Sequence, residues 1–176
     1  NAGCKDKDIA WIKQHLPAGV AFTHLEDRAL IALQGPKAEA VLRDVLNIDA
    51  ANLGYMRYMD APPYFISRLG YTGEDGFEIS VPAKDAAVIW DKFLQHTAVK
   101  PIGLAARDSL RLEMGYPLYG HDIDATTSPI EADLGWIMGK DRSGYIGFEK
   151  IKPQIENGPS RRRVGIKLTG KGIARE

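Results

Sequence analysis

The stretch Arg68-Leu69-Gly70-Tyr71-Thr72-Gly73-Glu74-Asp75-Gly76-Phe77-Glu78-Ile79-Ser80 is the first place in this sequence where residue types and spacing could do chemistry. Three glycines in seven residues allow tight turns and close approach of a ligand to the backbone. In Phe77-Glu78-Ile79-Ser80 the apolar pair shares one strand face, and Glu78 shares the other with Ser80. Two readings stand for Glu78: a solvent-facing carboxylate after a hairpin, or a carboxylate aimed at a pocket. A carboxylate accepts two parallel N–H bonds. That geometry suits the edge of a pterin or purine, where a ring N–H and an exocyclic amine lie side by side.

A second cluster is Arg107, Asp108, Arg111 and Glu113 within the helix-like segment 103–114. One reading is a surface helix with local ion pairs, such as Asp108 with Arg111 at i,i+3, worth about a few tenths of a kcal/mol. The other rests on Leu104-Ala105-Ala106, small apolar residues that suit a buried helix start just before Arg107. A buried arginine needs a carboxylate or a ligand anion. A third cluster, His121 with Asp122 and Asp124, has metal-ligand types, but three such groups in one loop are common by chance and no metal site is expected. Cys4 has no neighbouring histidine, so it is not expected to act as a nucleophile. His24 and His96 show no partner pattern. No Walker loop, GxSxG elbow or HExxH is present.

These side chains need a scaffold, and the periodicities supply one. Helices are expected over residues 5–16, 36–46, 83–95, 103–114 and 147–156. Within 36–46, Ala40, Val41 and Val45 share a face; within 83–95, Val88, Ile89 and Phe93 do, with Trp90 alongside. Strands are expected over 20–25, 29–33, 55–60, 64–69 and 77–81, with a corner at Pro62-Pro63 and a turn at 70–76. Residues 115–147 read as irregular, and loops of such length are often functional. A linker at 157–159 precedes Arg161-Arg162-Arg163 and an expected strand, Val164–Leu168. Strands and helices without strict βα alternation favour an α+β fold.

The 176 residues are 44% hydrophobic and 26% charged, a globular composition that excludes disorder throughout. Lys+Arg and Asp+Glu are both 23, so the basic excess usual for a nucleic-acid or anionic-membrane binder is missing. Neither nucleic acid nor membrane is expected as a partner; Arg161–Arg163 read as a solvated strand start. One cysteine excludes an intrachain disulfide and fits a reducing compartment. No 18-residue apolar run and no targeting leader are visible. The sequence opens on Asn1-Ala2-Gly3 and stops at Ala174-Arg175-Glu176, so both ends are expected to be cuts within a longer protein.

Several segments in one order carry a resemblance. Gly70-Tyr71-Thr72-Gly73-Glu74-Asp75-Gly76-Phe77-Glu78-Ile79 and Gly103-Leu104-Ala105-Ala106-Arg107-Asp108-Ser109-Leu110-Arg111-Leu112-Glu113 closely resemble the aminomethyltransferase family of the glycine cleavage system, the T-proteins. Leu118-Tyr119-Gly120-His121-Asp122-Ile123-Asp124 and Ser128-Pro129-Ile130-Glu131-Ala132-Asp133-Leu134-Gly135-Trp136 follow, and Asn1-Ala2-Gly3-Cys4-Lys5-Asp6-Lys7-Asp8 and Leu33-Gln34-Gly35-Pro36 lie upstream. The resemblance covers essentially the whole chain. It implies a folate-binding core, expected at residues 1–157 and incomplete at its N-terminus. It also implies that 158–176 is a linker and the first strand of a C-terminal barrel-like domain.

The implied activity is a transferase step of glycine catabolism and one-carbon metabolism. The aminomethyl group on the lipoyl arm of the H-protein gives its one-carbon unit to tetrahydrofolate, ammonia is released, and 5,10-methylenetetrahydrofolate and a dihydrolipoyl arm remain. By the same resemblance, Glu78 matches the glutamate that grips the pterin and Arg107 an arginine on the folate. Tyr71 and Asn1 match a tyrosine and an asparagine near it. The family's catalytic aspartate falls before residue 1 and a further folate-contacting arginine beyond residue 176, so the 176 residues alone are expected to be inactive. The family implies the cytoplasm in bacteria and the mitochondrial matrix in eukaryotes. Two related alternatives are the folate domain of dimethylglycine or sarcosine oxidation enzymes, which carry a flavin domain, and a non-transferase relative of iron–sulfur assembly. The latter's Lys-Gly-Cys-x-x-Gly-Gln-Glu signature falls at Ser143-Gly144-Tyr145-Ile146-Gly147-Phe148-Glu149, without its cysteine.

Overall fold

The computed structural model describes residues 2–139 and 143–172. Asn1 therefore lies outside the described residues. Two compact units divide the chain, Asn1–Met114 and Gly115–Glu176.

In the first unit a helix, α1 (Lys5–Gln14), ends before Pro17, as the spacing predicts. Strand β1 (Arg28–Gln34) leads through Gly35 into α2 (Ala38–Leu46), which Asn47 closes in the left-handed conformation at φ 55°. Strands β2 (Tyr58–Ala61) and β3 (Tyr64–Ser67) form a hairpin around Pro62-Pro63, a corner with no backbone N–H to satisfy. After the turn at 70–76 come β4 (Gly76–Pro82), a short 3-10 turn, α3 (Ala86–Gln95) and α4 (Leu104–Glu113). Among the described residues the sheet order is β1-β4-β3-β2, with each neighbouring pair antiparallel.

One face of this sheet makes the core. Phe77, Ile79 and Val81 of β4 point inward with Ile31, Leu33 and Ile66, against Val41 and Leu42 of α2 and Ile89 and Phe93 of α3. The alternation on β4 is the period-2 pattern of a half-buried strand, and it turns Glu78 and Ser80 to the opposite face. There the pairing aligns Ala32, Glu78, Ser67 and Tyr58 in one row across the four strands.

Several expectations change. Residues 20–25 form no strand: β1 is an edge strand among the described residues, and Val20 and Phe22 alternate without a neighbour to pair with. Buried Leu42, rather than Ala40, joins Val41 on the inner face of α2. On α3 the buried stripe is Ile89 with Phe93, while Val88 and Trp90 stay exposed. Their positions relative to Ile89, one residue on either side, turn them about 100° off the inner face.

In the second unit, residues 115–147 are mostly turns, with a short 3-10 turn at Gly135–Ile137. Helix α5 (Phe148–Asn157) follows. Residues 164–168 pair with no strand among the described residues. No helix among them is long and apolar enough to cross a membrane.

Candidate functional site

The outer face of β4 and the turn before it bring three of the singled-out residues together. Glu78 projects from the strand centre, between Ala32 of β1 and Ser67 of β3. It is half-buried, and burial pushes its carboxyl above the ordinary carboxylate range, an effect the nearby Arg107 charge opposes. Among the described residues no hydrogen bond is made to that carboxylate, a group that can accept several.

Arg107 comes from the first turn of α4. Its guanidinium carbon sits 4.4 Å from the centre of the Tyr71 ring, a cation–π stack. The negative ring face of Tyr71 attracts the guanidinium and steadies it. Tyr71 belongs to the glycine-rich turn, so the turn holds the arginine and the strand holds the carboxylate. Helix and turn also meet at Gly73, whose φ is +80° and where an added Cβ would overlap the Met114 side chain. Glycine there satisfies both the backbone and the close packing.

Of the two readings of this segment, the helix with an Asp108–Arg111 ion pair is the one seen, and the helix start at Leu104-Ala105-Ala106 is not buried. Leu104 and Arg107 are exposed, and the buried arginine is Arg111, 2.8 Å from Asp108 in the i,i+3 pair. Met114, at the C-terminal end of α4, packs on the glycine turn, while Leu104 at its N-terminal end is exposed. Asn1, the fourth residue matched to the ligand, lies outside the described residues.

Two anchors hold the turn. Arg68 forms a fork with Asp75, Nε to Oδ1 at 2.9 Å and Nη2 to Oδ2 at 2.6 Å, and reaches Glu39 at 3.0 Å. Its other amine donates to the carbonyls of Ala50 and Leu53. The fork holds Asp75 below the ordinary carboxylate range and raises Arg68. From the β1 side, Gln34 Nε2 donates to the carbonyls of Leu69 and Phe77, and Gln34 Oε1 accepts from the Thr72 hydroxyl. Sequence reading passed over both anchors. The opposite charges of Arg68 and Asp75 at the two ends of one glycine turn were the available signal.

In the second unit, Asp124 and Glu131 bond within their own surroundings. Asp124 caps its own loop, accepting from the Thr126 amide and hydroxyl and the Thr127 hydroxyl, and this network lowers its pKa. Glu131 accepts from the Ser128 amide at 2.8 Å and from Arg161 at 3.0 Å, which hold it below the ordinary range. Arg163 donates to the Ala132 carbonyl. Two arginines of the basic run are thus tied to the chain's own loop.

A family model described as the GCVT N-terminal domain matches residues 1–142. An aminomethyltransferase of Herpetosiphon aurantiacus is 46% identical over 183 residues, which span 100% of this chain and 50% of that protein. A mitochondrial aminomethyltransferase of Solanum tuberosum is 45% identical over 185 residues, 97% of this chain and 46% of that protein. The crystal structure of glycine cleavage system aminomethyltransferase T from Bartonella henselae matches with a TM-score of 0.85 at 40% identity, over 92% of this chain and 46% of that one. The chain thus spans about half the length of the curated relatives it matches.

Proposed function

This chain belongs to the GCVT N-terminal domain family, and from that premise we propose that it is the folate-holding part of a glycine-cleavage aminomethyltransferase. The whole protein would take the aminomethyl group from the lipoyl arm of an H-protein, give its one-carbon unit to tetrahydrofolate and release ammonia. The relatives named as aminomethyltransferases favour this reading over a non-transferase or oxidation-enzyme relative. In the same reading, residues 1–157 are the core and 158–176 lead into a barrel-like domain. The location is the cytoplasm in a bacterium or the mitochondrial matrix in a eukaryote.

The observation that carries the proposal is the half-buried Glu78 carboxylate on the outer sheet face, within electrostatic reach of the Arg107 guanidinium that stands over Tyr71. Glu78 has the lone pairs to accept two N–H groups from a pterin edge. Arg107, steadied by Tyr71, offers fixed donors to an acceptor or carboxylate on the same ligand. These residues fit tetrahydrofolate, which when bound supplies the amine that accepts the one-carbon unit. Their own contribution is to bind and orient. A held reactant reacts as part of one complex, and much of the barrier falls through entropy already lost on binding. Asn1 is assigned to the same ligand by its place in the family pattern.

A calorimetric titration of tetrahydrofolate into the full-length protein containing this chain tests the reading. Glu78→Ala and Arg107→Ala should each weaken binding about tenfold or more, as expected for losing a hydrogen bond to a charged group. Unchanged affinity in both variants, with a well-folded protein, would remove the folate assignment.

A further inference from the structure

We infer that Gln34 is the positioning residue of this site: its side-chain amide bolts the glycine-rich turn in the shape that presents Tyr71 to Arg107. Gln34 is the last residue of β1 and pairs with Gly76 at the start of β4. Its Nε2 donates to Leu69 O at 3.1 Å, just before the turn, and to Phe77 O at 3.3 Å, just after it. Its Oε1 accepts from the Thr72 hydroxyl at 3.0 Å, in the turn itself. One amide therefore grips both ends and the middle.

The glycines make room for this bolt. A Cβ on Gly70 would overlap the Gln34 amide, and one on Gly76 would meet Leu33 O at 2.5 Å and Gln34 Cα at 2.8 Å. Tyr71 lies between Gly70, packed against the amide, and Thr72, bonded to it. Glu78 follows Phe77, whose carbonyl the amide holds. Gln34 thus acts on the ligand-facing groups through the turn. It differs from Arg68, which also lies over the Phe77 ring at 5.3 Å and supports the carbonyls of Ala50 and Leu53, so that its loss would spread into the core. The hydrogen bonds of the Gln34 amide all end on residues 69–77.

The collision at Gly70 provides a sharp test, using the full-length protein. Gly70→Ala should expel the amide and reproduce the effect of Gln34→Ala. In the double variant the added methyl enters the space the amide has left, so the second change should add nothing. Each single variant should weaken tetrahydrofolate binding about tenfold, raising the KM for folate while kcat at saturating folate holds. The double variant should match Gln34→Ala. Losses that multiply to about a hundredfold would overturn the inference, because the two sites would then act independently.

The functional arm rests on the folate reading above, so a ligand-free arm accompanies it. Arg107 side-chain protons lie over the Tyr71 ring and should carry its ring-current shift in NMR spectra. Gln34→Ala should move those signals toward their free positions, and Thr72→Val should move them part of the way. Unmoved signals in a well-dispersed spectrum would refute the positioning role, whatever the site binds. Moved signals together with unaltered folate affinity in both Glu78→Ala and Arg107→Ala would uphold the role of Gln34 and remove the folate reading instead.

Discussion

Replacing Asp75 by asparagine keeps the shape of the turn and removes one charge from the Arg68 fork. The native pair has two near-parallel bonds at 2.9 and 2.6 Å. Hydrogen bonds to charged groups contribute about 1.5–3 kcal/mol. The Asp75 side chain is 42% exposed, so solvent screens part of that value, and Arg68 keeps Glu39 at 3.0 Å in the variant. Asparagine also retains one acceptor. The expected loss is therefore about 1–2 kcal/mol at neutral pH.

The pH dependence separates the charge from the shape. The Arg68 hydrogen bonds hold Asp75 below its ordinary value. A carboxylate with a depressed folded pKa contributes stability above its unfolded value, about 3.9, and loses it as the pH falls through the folded value. The gap between native protein and Asp75→Asn should be full at neutral pH and should close below about pH 4. Urea denaturation of both proteins across that range measures it. A gap that stays constant into acid would refute the reasoning, because the lost contact would then be steric.

Two other perturbations have defined outcomes. Ile79→Ala removes a fully buried side chain from the centre of β4 and should cost about 2–5 kcal/mol in denaturant titration, with a loss below about 1 kcal/mol counting against the packing described. Glu78→Gln should raise the melting temperature at neutral pH: burial raises the Glu78 pKa, so its stabilising share is complete only below the unfolded value and fades as the pH rises through the folded one. The gain should vanish in acid, where both side chains are neutral, while the same change weakens folate binding.

That last opposition shows which parts of the site a linear reading can reach. Phe77, Ile79 and Val81 alternate because one face of β4 is buried, and the alternation alone turned Glu78 outward. Whether Glu78 met water or a pocket depended on α4, which the spacing identified as a helix without indicating which end packs. The apolar start Leu104-Ala105-Ala106 suggested burial of Arg107, yet the packed end is the other one, and Arg111 is the buried arginine. The strand expected at 20–25 failed for a related reason, since a strand exists only where a neighbour pairs with it. Gln34 is the extreme case. Its role arises because antiparallel pairing sets it opposite Gly76 and its amide lies against Gly70. Local periodicity fixes faces, whereas contacts between distant segments fix roles. Burial disfavours the charged form of the Glu78 carboxylate, and Arg107 of α4, set over Tyr71 of the turn, supplies the opposing charge. A site built this way should lose ligand affinity before it loses its fold whenever the turn is loosened.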